Sequence, residues 1–194
     1  MSTSGPLALA PELDELRRQF EAIAAEAAAL VTPLSEEQFH WKPSGDRWSI
    51  AECLEHLNAT ARHYLPAIDD GSGDALRLGP YGEGPFEYRW YARLLVRVIE
   101  PPPVFRLKAT QQILPASDRP KQATANGFGA YQVQYVDRLR QSNGIDLATA
   151  RVRSPMAAWL RIPLGCGFAA MVAHERRHLW QARQVRDAPG FPPA

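Results

Sequence analysis

The densest chemistry in the sequence is a run of five residues near its carboxyl end, His174-Glu175-Arg176-Arg177-His178. Two imidazoles four positions apart lie one turn apart on one face of a helix, where both can reach a single ion. The surrounding pattern predicts that helix from about Cys166 to Asp187, with Met171, His174, His178, Gln181 and Val185 as a heptad-like stripe along it. Such a stripe faces the interior of a bundle. Burying two unpartnered imidazoles there costs on the order of a few kcal/mol, which a bound divalent ion would offset. Hydrogen bonds would offset it too, and spacing alone leaves both readings open.

A third ligand is available on another predicted helix, where Cys53, His56, Thr60 and His63 fall along one edge. They adjoin an apolar stripe of Ile50, Leu54, Leu57, Ala61, Tyr64 and Ile68. His56 lies about two turns, roughly 10 Å, from the helix start. Three neutral imidazoles on facing helices leave further positions on an ion open, as catalytic rather than structural sites do. That donor set suits zinc, nickel, copper and iron alike. Thr60 and Gln181 are candidate pocket residues. Cys53, one turn before His56, is a candidate fourth ligand or redox thiol, and a small core residue is the plainer reading. His40 sits in a connector and His63 at the rim, and neither is assigned a role. Arg176, Arg177, Arg183 and Arg186 read as a solvated face near a helix C-terminus rather than as an anion site.

His-Glu-x-x-His is also the zinc-protease signature, with Glu175 as general base. The further ligand that this chemistry needs is missing: residue 184 is Gln, and the sole acid after His178 is Asp187. Glu175 is expected instead as a helix-surface charge or as a partner of a ligand.

Four long helices are expected to position these groups. Leu9, Leu13, Leu16, Phe20, Ile23, Ala27 and Leu30 mark an amphipathic helix over 9–31, ended by Pro33. Leu34 to Pro43 reads as a connector with one helical turn begun by Ser35. Ser49-Ile50-Ala51-Glu52 has the Ser-x-x-Glu form of a capping box and starts the second long helix, expected to reach about Asp69. Glycines at 71, 73, 79, 82 and 84 with Pro80 and Pro85 make Asp70 to Pro85 read as a loop. Tyr88, Tyr91, Leu95 and Val98 suggest a shorter helix over Phe86–Glu100, stopped by Pro101-Pro102-Pro103. Val104 to Pro120 has no period and is expected to run extended. A helix from about Thr124 to Ser142 turns Phe128, Tyr131, Tyr135 and Leu139 inward and stops at Asn143-Gly144. Ala150 to Leu164 is mixed. The expected class is all-α, a bundle with one additional short helix.

Composition agrees with one globular domain over 1–194, with a core of about 10–187, an insertion of about 70–120 and a tail over 188–194. Hydrophobic residues make up 45% of the 194 and charged residues 22%, too apolar for a disordered chain. A net charge of +1 supplies no field for a nucleic-acid backbone or an anionic membrane. No run of about 18 apolar residues and no signal-like leader are seen, so the expectation is a cytoplasmic, unanchored protein. Two cysteines, Cys53 and Cys166, make no disulfide framework.

Two blocks carry a family resemblance. Trp41-Lys42-Pro43 followed by Arg47-Trp48-Ser49-Ile50-Ala51-Glu52-Cys53-Leu54-Glu55-His56-Leu57 resembles the helix-two signature of the DinB-like superfamily. Pro163-Leu164-Gly165 leading into His174-Glu175-Arg176-Arg177-His178-Leu179-Trp180-Gln181 resembles its last-helix signature. Both occur in the family's order, and the resemblance spans about residues 10–187. It implies a four-helix bundle of up-down-down-up connectivity, with a divalent metal (zinc, nickel or iron) on His56, His174 and His178. It also implies a homodimer, and thiol-dependent transferases or isomerases using a low-molecular-weight thiol or other small molecule. The family name derives from DNA-damage induction and implies no nucleic-acid binding. The 70–120 insertion, with Phe86, Tyr88, Trp90 and Tyr91, departs from the compact pattern and is expected to cover the open side of the metal or to form a dimer surface. Two functional expectations follow: a metal-dependent enzyme of thiol S-transferase or hydrolase type, or a non-catalytic metal-binding or stress-response module. A bundle whose histidines bind nothing is the third.

Overall fold

Helix caps and proline positions explain most of the element boundaries in the computed structural model, which describes residues 8–102, 110–116, 118–157 and 159–193. Helix α1 spans Pro11–Val31, with Pro in its first turn, where the missing N–H costs nothing, and buries Leu13, Leu16, Phe20, Ile23, Ala27 and Leu30. A one-turn helix α2, Glu36–His40, begins at a reciprocal cap between Ser35 and Gln38. Helix α3 spans Ile50–Leu78 and opens on the expected capping box: Glu52 N–H donates to Ser49 Oγ at 3.1 Å and Ser49 N–H to Glu52 Oε2 at 2.9 Å. Helix α4 covers Trp90–Ile99, α5 Lys121–Gln141 and α6 Leu164–Arg186. A hairpin of β1, Arg151–Arg153, and β2, Arg161–Pro163, pairs Val152 with Ile162.

Two expectations are corrected. Helix α3 does not stop near Asp69: Gly71 and Gly73 lie inside it, and Gly79, at φ +77°, ends it. Glycine reads as a breaker because it lacks a side chain, and that lack is what α3 uses here. A Cβ on Gly71 would stand 2.6 Å from the Arg151 carbonyl oxygen, so only glycine lets the helix seat against β1. The aromatic segment from Phe86 is not helical up to Arg89, and α4 begins only at Trp90. The stretch expected to run extended from Val104 to Pro120 lies partly outside the described residues, and its described part includes a single 3-10 turn, Gln111–Ile113.

Contacts fix the directions of the four long helices. Asn58 meets Thr124 near the starts of α3 and α5, and Asp69 pairs with Arg138 near their ends, so these two run parallel. Ala10, at the start of α1, bonds Asn143, just past the end of α5, so α1 opposes α5. Glu12 lies by Gly165 and Glu26 pairs with Arg183, so α1 and α6 run parallel. The connectivity is up-down-down-up, with the 79–120 connection making the long crossover. Phe20 stacks on Tyr135 at 4.8 Å between ring centroids, and one continuous apolar core joins all four helices. Among the described residues no helix is long and apolar enough to cross a membrane.

The insertion docks through Tyr88, whose hydroxyl donates to Glu12 and sits where a side chain on Gly165 would collide with it. Burial raises the Glu12 carboxyl above its ordinary range, against the lowering effect of that hydrogen bond.

Candidate metal centre

His56 reaches the bundle interior from the first third of α3, and His174 and His178 reach it from the second half of α6. Because α3 and α6 are antiparallel, these two stretches face one another. The three side chains each offer a ring nitrogen, and these atoms lie within 4.8 Å of one another. His56 Nε2 and His174 Nε2 are 3.2 Å apart. Ring centroids are 5.1 Å apart for His56 and His174, 4.5 Å for His56 and His178, and 4.6 Å for His174 and His178. His56 is 3% and His178 8% exposed, while His174 is half-buried.

The surroundings orient the rings. His56 Nδ1 lies 2.7 Å from the Ile113 carbonyl. A carbonyl can only accept, so Nδ1 carries the proton and donates, leaving the Nε2 lone pair for the centre. The Trp48 indole packs against His56 at 4.9 Å and lies nearly parallel to His178 at 5.6 Å. Gln181, three residues further along α6, is a polar neighbour that partly opposes the lowering of the His178 pKa. Trp48 and the Ile113 carbonyl were not assigned; Trp48 lay within reach of sequence reasoning, just ahead of the capped helix, whereas a backbone carbonyl leaves no sequence signal.

Other sequence candidates fall elsewhere. Thr60 is buried but spends its hydroxyl on the His56 carbonyl of its own helix, at 2.8 Å. Cys53 is fully buried outside the histidine cluster, and burial raises its thiol far above the ordinary value. It is a core residue. His63 is exposed, with Nε2 3.3 Å from the Gln112 carbonyl, and His40 lies 3.4 Å from Glu36. Arg176, Arg183 and Arg186 pair with Glu100, Glu26 and Asp187, as a solvated helix face would.

Glu175 is not the surface charge that was one of its two expected roles. It is 3% exposed, turned toward α5, and accepts from Gln132 Nε2 at 2.9 Å, while its second oxygen has no partner among the described residues. Burial pushes its carboxyl up to about 8, against the lowering effect of the Gln132 bond. An acid turned into the bundle and held by Gln132 is not placed as the general base of a zinc protease.

A family model describing the DinB superfamily matches residues 19–182. The chain belongs to the DinB superfamily. The matched span holds His56, His174 and His178 together, so in this DinB-superfamily chain the geometric cluster lies within the family match. No curated protein and no solved structure matches the chain.

The centre fits a divalent ion on the chemistry of its donors. Burial, with the neighbouring His56 and Arg177, pushes the His174 imidazole down to about 3. Burial, reinforced by His174, His56 and Arg177, holds His178 well below its ordinary value. Burial lowers His56 as well, opposed by the bond to Ile113. All three are therefore neutral near pH 7, the form that ligates. His174 Nδ1 and His178 Nδ1 are buried without a hydrogen-bond partner among the described residues. Two rings that each bury a nitrogen without a hydrogen-bond partner cost stability that coordination would offset.

Proposed function

We propose that this DinB-superfamily chain is a metal-dependent enzyme of thiol S-transferase or hydrolase type, acting on a low-molecular-weight thiol or another small molecule. The supporting observation is the convergence of three neutral ring nitrogens from two antiparallel helices. When bound to His56, His174 and His178, a zinc, nickel or iron ion would supply Lewis acidity that lowers the pKa of a coordinated thiol or water.

The chain's own residues have separate tasks. His56 is held in one tautomer by the Ile113 carbonyl, so its Nε2 faces the centre without a competing proton. Trp48 stacks on His178 and packs at a tilt against His56, walling the centre on that side. Two free buried cysteines suit a reducing, cytoplasmic setting, in which small thiols are abundant. A homodimer is the expected assembly. The depth of His56 and His178 favours one competing reading, a metal-binding or stress-response module without turnover.

Elemental analysis of untagged protein, with wild type beside a His174→Ala, His178→Ala variant, tests the ligand set. The expected result is roughly one ion per chain in wild type, lost in the variant. Equal and negligible metal in both would overturn both readings. With metal present, a screen of small thiols against an electrophilic acceptor separates enzyme from module, since a module gives no metal-dependent turnover.

A further inference from the structure

An open cleft of about 690 Å³ runs between the C-terminal half of α3 and the β1–β2 hairpin, with His63 among its lining residues. His63 lies seven residues beyond His56, about 10 Å further along α3. We propose that this cleft binds an oxyanion: the phosphate or carboxylate groups of a small molecule carrying at least two negative charges.

The hairpin wall carries the argument. Arg151 and Arg153 stand two residues apart on β1 and share a face, and the register sets Arg161 of β2 opposite Arg153. Like charges placed directly opposite work against strand pairing, and an anion between them removes that penalty. All three side chains are exposed. Arg151 donates to the Ala148 carbonyl at 3.3 Å, and Arg153 and Arg161 have neither an ion pair nor a hydrogen bond among the described residues.

The helix wall does not neutralise them. Asp69 is engaged by Arg138 at 2.9 Å and Asp74 by Arg77 at 2.5 Å, which leaves Asp70 as the one lining acid without an ion pair among the described residues, beside three guanidinium groups, of Arg151, Arg153 and Arg161, that likewise make no ion pair there. Gly73 adds no side chain, and nothing stands within 4 Å of where its Cβ would be. Gly71 fixes the spacing by letting α3 close on the Arg151 carbonyl. The walls are thus set by packed backbone and the cleft is left open.

The ligand class follows from the donors. Guanidinium groups match carboxylate and phosphate in bidentate geometry, and cross-strand neighbours about 5 Å apart can share one compact polyanion. A long polyanion needs a basic field well beyond the cleft, and the net charge of +1 does not provide one. The proposal does not depend on the metal reading.

Isothermal titration of the full chain with inorganic pyrophosphate and, separately, citrate at low ionic strength tests it. Comparison of the two probes tells a phosphate ligand from a carboxylate one. Saturable binding to wild type is expected, weakened about tenfold or more in Arg153→Gln, Arg161→Gln and tightened in Asp70→Asn, with metal content unchanged. If the double glutamine variant fails to fold, Arg153→Lys, Arg161→Lys keeps the charge, removes the planar fork, and should still bind more weakly. No saturable binding to either probe at millimolar concentration would overturn the proposal. So would a folded double variant that binds as wild type does.

Discussion

Two glycines two residues apart in α3 should respond oppositely to the same substitution. Alanine stabilises a helix interior over glycine by ~0.5–1 kcal/mol. At Gly73 nothing lies within 4 Å of the added Cβ, so Gly73→Ala should realise the full gain. Its midpoint of thermal unfolding should rise by about 1–4 °C for a domain of this size. At Gly71 the same methyl would lie 2.6 Å from the Arg151 carbonyl oxygen and 3.3 Å from its carbon. Those are backbone atoms of a paired strand and cannot swing aside as a side chain would. Overpacking of this kind costs ~1–3 kcal/mol, which at its central value outweighs the helix gain and leaves Gly71→Ala less stable than wild type by ~1 kcal/mol. Urea unfolding measures both, comparing midpoints where the slopes agree. Shifts of the same sign in the two variants, or a Gly71→Ala protein as stable as wild type, would refute the claim that α3 is seated on β1 by the missing side chain.

Glu175 should make stability depend on pH. Burial holds its folded pKa at about 8, above the ordinary carboxyl value of 4.5, so unfolding releases a proton between those values and stability falls as pH rises through that window. Relative to Glu175→Gln, which keeps an acceptor for Gln132 and shares every other titration, wild type should lose about 1.4 kcal/mol per pH unit between pH 5.5 and 7.5. A flat difference curve from chemical denaturation would count against a buried acid. Gly165→Ala should displace Tyr88 and speed proteolytic cleavage within residues 79–102, whereas Tyr88→Phe, which loses only the bond to Glu12, should change the rate less. Identical cleavage patterns in wild type and Gly165→Ala would show that Tyr88 does not anchor the insertion.

Much of the frame was legible because its signals are local. Ser35 and Ser49 announce helix starts through reciprocal caps, and residues from Leu13 to Leu30 show the periodicity of a buried stripe. His174 and His178 were legible for the same reason, since spacing of four places both on one turn. What escaped was set by tertiary approach. Gly71 and Gly73 read as a loop in isolation and are helical because β1 presses against one of them. The hairpin strands are three residues each, too short for alternation to register. Glu175 is one residue from a histidine on the interior stripe, yet nothing in its neighbourhood of sequence says that Gln132 waits for it on α5.

His56 depends on a carbonyl supplied by the crossover connection, and this limits how the centre could be transplanted. Copying three histidines onto another four-helix scaffold would transfer the donors and leave behind the acceptor that decides which ring nitrogen is protonated. A free imidazole divides its population between two tautomers, so such a graft would offer an N–H to the ion in part of its molecules. The smallest portable unit is two helices together with the turn at Ile113, which is remote from both in sequence.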